Sequence, residues 1–170
     1  FGPHGARRAP FFSLLTGFGV PDEGTWSFVG HPLGHVPAHK VARMGLVRTF
    51  QLTKALGLLT VLENMKLGAK NQSGENLFRS LFPGFWRKQE LEIEAQARVL
   101  LAKFKLDAKE ADFAASLSGG QRKLLEMARA LMSVPELVML DEPMAGVNPA
   151  LKQSLLDHIM ALREEGTTVL

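Results

Sequence analysis

Between Gln121 and Met132 apolar residues return at helical spacing, through Leu124, Ala128 and Leu131, and predict a helix that stops before Pro135. The next apolar run, Leu137-Val138-Met139-Leu140, is continuous rather than alternating and ends in Asp141-Glu142-Pro143. Such a run reads as a central parallel strand covered on both faces, with the two acids at its carboxyl end. Asn148-Pro149 then offers an N-cap followed by proline at the first helical position. Leu151, Leu155, Ile159 and Leu162 form that helix's buried stripe, Gly166 ends it, and Thr167 to Leu170 begin another strand. Strand, helix, strand is a parallel crossover, and ligands of open parallel sheets bind at the carboxyl ends of the strands.

Upstream, Leu91, Ala95, Val99, Ala102 and Leu106 lie three or four apart opposite Glu92, Glu94, Arg98 and Lys105, so this helix is expected to bury that stripe. Residues 60–116 read as a helical lobe. From Gly24 to Phe28 and again near Val36 the chain is short-patterned and punctuated by glycine and proline, which suits small antiparallel strands in an exposed β region.

With 170 residues, 46% of them hydrophobic, the chain can bury one sizeable core. It has no cysteine, which excludes disulfides and thiolate metal sites. A formal charge of +3, spread evenly, does not support a nucleic-acid partner. No apolar run is long enough to cross a bilayer, so a membrane role is expected to be peripheral. The start at Phe1 and the strand beginning at Thr167 are expected to mark a piece of a longer chain.

Leu117-Ser118-Gly119-Gly120-Gln121 stands directly before a helix, where a hydroxyl and backbone N–H groups can face an anion at the positive helix end. One helix later, Asp141 is placed to hold Mg²⁺ and Glu142 to orient an attacking water. In this order and spacing the two motifs resemble the signature motif and Walker B strand of the ATP-binding cassette (ABC) ATPases. Val47-Arg48-Thr49-Phe50-Gln51 is similar to the family's Q-loop stretch and Thr60-Val61-Leu62-Glu63-Asn64 to the opening of its helical lobe. Ala145-Gly146-Val147-Asn148-Pro149 stands at the D-loop position, with asparagine where aspartate is usual. The resemblance is greatest to the ATP-binding subunits of branched-chain amino acid importers.

The resemblance implies a P-loop NTPase fold: a mixed α/β sheet core, a small antiparallel β region and a helical lobe, truncated at both ends. One partial domain divides into residues 1–59 (phosphate loop, β region, Q-loop), 60–116 (helical lobe) and 117–170 (signature helix, Walker B strand, D-loop and following helix). It implies ATP and Mg²⁺ as ligands, a second cassette arranged head to tail, permease subunits as partners, and a place on the cytoplasmic face of the membrane. Carried over by position, Ser118, Gly119, Gly120 and Gln121 would meet nucleotide held by the partner cassette, and Asp141 would support the metal. Glu142 would be the catalytic base, and Gln51 would contact metal and γ-phosphate.

One block departs from the family. The phosphate loop expects Gly-x-x-x-x-Gly-Lys-Ser/Thr, because glycines let the backbone wrap phosphates, lysine reaches their oxygens and the hydroxyl binds Mg²⁺. Here only Gly2 satisfies the strict pattern, Pro3, Gly5 and Ala6 fit looser family usage, Arg7 replaces the close-approach glycine, Arg8 keeps the charge in a broader head, and Ala9 lacks the hydroxyl. Either the block is an error of the translated frame, or the chain is an impaired cassette that docks or binds nucleotide without efficient hydrolysis. The resemblance also puts the adenine-stacking aromatic before Phe1 and the switch histidine after Leu170. His158 lies inside a helix, and His31, His35 and His39 have no cysteine or carboxylate partners for a metal.

Overall fold

A computed structural model describes residues 8–49, 56–70, 83–140, 143–144 and 149–170. The first segment holds α1 (Arg8–Leu15), β1 (Ser27–Phe28), β2 (His31–Pro32), α2 (Ala38–Arg43) and β3 (Leu46–Arg48). Three helices follow: α3 (Val61–Lys66), α4 (Pro83–Lys103) and α5 (Gly119–Leu131). The chain closes with β4 (Leu137–Met139), α6 (Pro149–Glu164) and β5 (Thr168–Val169).

β3, β4 and β5 form a parallel sheet in that order, with Leu46 opposite Leu137 and Val138 opposite Val169. The central strand is buried on both faces, as its unbroken apolar run requires. Val138 belongs to a cluster with Val61, Met65, Leu101, Phe104, Leu125, Ala128 and Leu155, whereas its neighbour Met139 packs on the opposite side with Leu33, Val41 and Leu46. Helix α6 makes the crossover from β4 to β5, and Gly166, at φ +94°, turns the chain out of it. β1 and β2 pair antiparallel as a separate two-stranded ribbon.

In the lobe, α3 begins at a reciprocal cap. Glu63 N–H donates to Thr60 Oγ1 at 3.2 Å, and Thr60 N–H donates to Glu63 Oε2 at 2.7 Å. The other end of α3 comes so close to α5 that a Cβ added at Gly68 would stand 2.2 Å from the carbonyl oxygen of Arg129. Glycine is required there because two backbones nearly touch.

Two expectations are corrected. The stripe assigned to α4 faces outward: Leu91 is 67% and Val99 60% exposed, and Ala95 and Ala102 are exposed with them. The packed face carries Ile93, Ala97, Leu100, Leu101 and Phe104, an equally helical series, and Leu106 is buried just beyond the helix end. Second, Val36 is not in a strand; its N–H closes a turn on Leu33 O at 3.0 Å, and the second strand lies earlier, at His31–Pro32. The structure also adds α2, which no sequence pattern announced, with Val41 alone of its six residues buried.

Candidate functional site

The N-terminus of α5 is built by two side chains that occupy each other's backbone. Ser118, with extended geometry (φ −63°, ψ 161°), is the N-cap; its Oγ accepts from Gln121 N–H at 3.3 Å while Gln121 Oε1 accepts from Ser118 N–H at 3.0 Å. A Ser-x-x-Gln sequence before an apolar helical run is suited to this reciprocal arrangement. Buried Leu117 anchors the turn, and its carbonyl accepts from the Arg122 guanidinium at 2.5 Å.

This cap uses the N–H groups of Ser118 and Gln121 and leaves those of Gly119 and Gly120, the first two helical residues, to face outward. The Ser118 hydroxyl accepts in the cap, so its proton is free to donate. Ser118 and Gly119 are exposed, and no heavy atom stands within 4 Å of where a Cβ on Gly119 would be. The result is an open cluster of donors at the positive end of a 13-residue helix, a fit for phosphate oxygens. Gln121 is half-buried, and its side-chain oxygen is committed to the cap.

A second candidate region is the carboxyl edge of the sheet. Thr49 N–H, just past β3, donates to Met139 O at 3.0 Å, and Leu140 N–H, just past β4, donates to Leu170 O at 2.8 Å. The chain therefore leaves β3 and β4 side by side. Gln51 follows Thr49 by two residues, and Asp141-Glu142 follow Leu140 directly. Gln51, Asp141 and Glu142 lie outside the described residues, as do Gly2, Pro3, Gly5, Ala6 and Arg7.

Arg8 and Ala9 open α1. That helix is tied to β3 by Arg48, whose Nη1 donates to Ser13 Oγ at 2.9 Å and whose guanidinium carbon lies 5.7 Å from the Phe12 ring centre.

Beside Thr49 opens a cavity of about 290 Å³ bordered by Arg48, Lys70, Glu126, Arg129 and Ser133. Glu126 is only 8% exposed, although it sits among Leu124, Leu125, Met127 and Ala128 on the packed part of α5. Burial holds the Lys70 ammonium below the usual lysine range, and the nearby Glu136 carboxylate opposes that shift. The sequence reading missed this group; a lone acid inside the apolar stripe of α5 was its available signal.

His31 and His39 are exposed on β2 and α2, and among the described residues no three metal-ligating side chains come together. Among the same residues no helix is long and apolar enough to cross a membrane.

Known proteins match over nearly the whole chain. A sequence model of the family described as "ABC transporter" matches residues 1–145. A probable branched-chain amino acid transport ATP-binding protein, LivG, of Archaeoglobus fulgidus is 41% identical over 169 residues, which cover 99% of this chain and 65% of that protein. The high-affinity branched-chain amino acid transport ATP-binding protein BraF of Pseudomonas aeruginosa is 37% identical over 166 residues, 96% of this chain and 65% of the relative. Among solved structures, a nucleotide-free ATP-binding cassette from an ABC transporter superposes with a TM-score of 0.81 at 37% identity, covering 99% of this chain and 66% of its own. The chain thus spans 65% of the length of these two curated relatives.

Proposed function

This chain belongs to the ABC transporter family, and from that premise we propose that it is the ATP-binding and ATP-hydrolysing motor subunit of an importer for branched-chain amino acids or related small solutes. The observation that carries the reading is the donor cluster of Ser118, Gly119 and Gly120, one helix ahead of a central strand that runs into Asp141-Glu142.

In this account Ser118 donates its hydroxyl proton, and Gly119 and Gly120 their N–H groups, to the γ-phosphate of ATP held by a second cassette packed head to tail. The capping box keeps these donors aimed before nucleotide arrives, so little reorganisation is required as charge develops on the transferring phosphoryl group. In the companion site, where this chain itself holds the nucleotide, Glu142 takes the proton of the attacking water and Gln51 contacts that nucleotide's γ-phosphate. Asp141 is the residue that would hold Mg²⁺, which would supply charge neutralisation to the phosphates. Permease subunits would hold the chain at the cytoplasmic face of the membrane.

The donor cluster fits a phosphate; Ala9 does not fit the metal. It offers no hydroxyl at the position where the family's phosphate loop has serine or threonine. That substitution, with Arg7 and Arg8, favours a second reading in which this chain docks or retains nucleotide but turns it over poorly.

Gly119→Asp tests the donor cluster. A carboxylate in the first turn suits the helix dipole and the position is open, so thermal stability should hold or rise. The same carboxylate repels the γ-phosphate, so in a full-length chain with a restored phosphate loop ATP turnover should fall by about a hundredfold or more. Undiminished turnover would remove α5 from the reaction.

A further inference from the structure

His158, on α6, stands where the helical lobe meets the crossover helix. Its ring lies against Phe104 with centroids 4.5 Å apart. Nε2 is 2.5 Å from the carbonyl oxygen of Lys103, the last residue of α4, and Nδ1 is within hydrogen-bonding reach of the carbonyl oxygen of Ser154, one turn earlier on α6. Both partners are acceptors. A neutral imidazole has one N–H and one bare lone pair, so it satisfies one carbonyl and repels the other. The doubly protonated ring, with two N–H donors, satisfies both.

We propose that His158 is a proton-operated latch, which ties the end of α4 to α6 when its ring carries both protons and releases α4 when it loses one. The Lys103 carbonyl belongs to the last turn of a helix, where orphan acceptors collect and a cationic histidine is favoured by the dipole. The Phe104 ring supplies a π face to the same cation. Next to the latch is a cavity of about 290 Å³ whose charged borders are Lys103 from α4 and Asp157 and Glu165 from α6 and the turn after it; α5 contributes Leu131. Lys103 and Glu165 pair at 2.6 Å, and Asp157 accepts from Gln153 at 2.9 Å. The Lys103–Glu165 pair spans the same two elements, but both side chains are about half exposed, and such pairs contribute little.

The sign of the effect follows from which form closes the latch. Stabilisation is present while the ring is doubly protonated and is lost over the pH range in which the ring gives up one of its two protons. The test uses the full chain and needs no variant at first: nitrogen NMR of the His158 ring across that range, where both nitrogens should show protonated, hydrogen-bonded shifts on the acid side. His158→Gln is then compared with the unmodified chain by thermal unfolding. The midpoint difference should be largest at acid pH and lose most of its size as pH rises. A single neutral tautomer at every pH where the protein is folded, or a midpoint difference that does not change with pH, overturns the latch.

Discussion

Asn64 and Leu56 exchange two hydrogen bonds: Leu56 N–H donates to Asn64 Oδ1 at 2.9 Å, and Asn64 Nδ2 donates to Leu56 O at 3.0 Å. The same amide nitrogen reaches the carbonyls of Thr60 at 2.9 Å and Leu59 at 3.3 Å, and the side chain is 0% exposed. One buried amide therefore fixes the turn between Leu56 and the first residues of α3. Asn64→Leu keeps the volume and takes the acceptor from the Leu56 N–H, while the carbonyls of Leu56, Leu59 and Thr60 keep their backbone donors, Leu59, Ala114 and Asn64 N–H. It should cost about 1–3 kcal/mol, measured as a shift in the urea midpoint at unchanged slope. A loss below about 1 kcal/mol would show that water replaces the amide.

Gly68 carries a prediction of the opposite kind, in which an added group is the problem. Its Cβ would meet Arg129 O at 2.2 Å and the Met132 Cβ at 3.0 Å, so Gly68→Ala has to push α3 away from α5. The substitution should destabilise by about 1–3 kcal/mol even though alanine ordinarily favours helical backbone over glycine. Equal or greater stability in chemical denaturation would mean that the two helices do not approach this closely.

Glu63 gives a pH prediction. Its carboxylate accepts from the Thr60 backbone N–H and then from the Thr60 hydroxyl, and these bonds hold its pKa below the ordinary glutamate range. A lowered carboxyl contributes stability that is present above its unfolded value, about 4.3, and is lost as pH falls through the folded value. Glu63→Gln can keep the capping box without the charge. The stability difference between the two proteins should shrink as the pH is taken below about 4, and a constant difference would show that the charge adds nothing to the cap.

Much of this architecture was legible because particular residues had only one sensible place. The run Leu137 to Leu140 could hardly be anything but a doubly covered strand, and Pro149 and Gly166 bracketed α6. Ser118 and Gln121 announced their cap by spacing alone. Helix α4 was misread because it carries two apolar series, one through Leu91 and Val99 and one through Ala97 and Leu101. Periodicity scores both equally, and only α3 and α5, which pack against the second, decide between them. The work of Asn64 was not legible either, since it depends on a loop folding back across eight residues. Glu126 and the cavity at Thr49 depend on the packing of three separate segments, which no local pattern encodes.

The central claim is that, in a head-to-tail pair, the α5 donor cluster of one chain and Glu142 of the other act on one ATP, with the block Arg7-Arg8-Ala9 limiting turnover. The most direct measurement is steady-state phosphate release from three full-length proteins: the chain as it stands, the chain with Arg7→Gly, Arg8→Lys and Ala9→Thr, and that restored chain carrying Glu142→Gln. The account predicts little or no turnover from the first and ATP hydrolysis from the second. The third should lose activity by about a hundredfold or more while still binding nucleotide. Robust hydrolysis by the unrestored chain, or hydrolysis in the restored chain that is indifferent to Glu142→Gln, would contradict it.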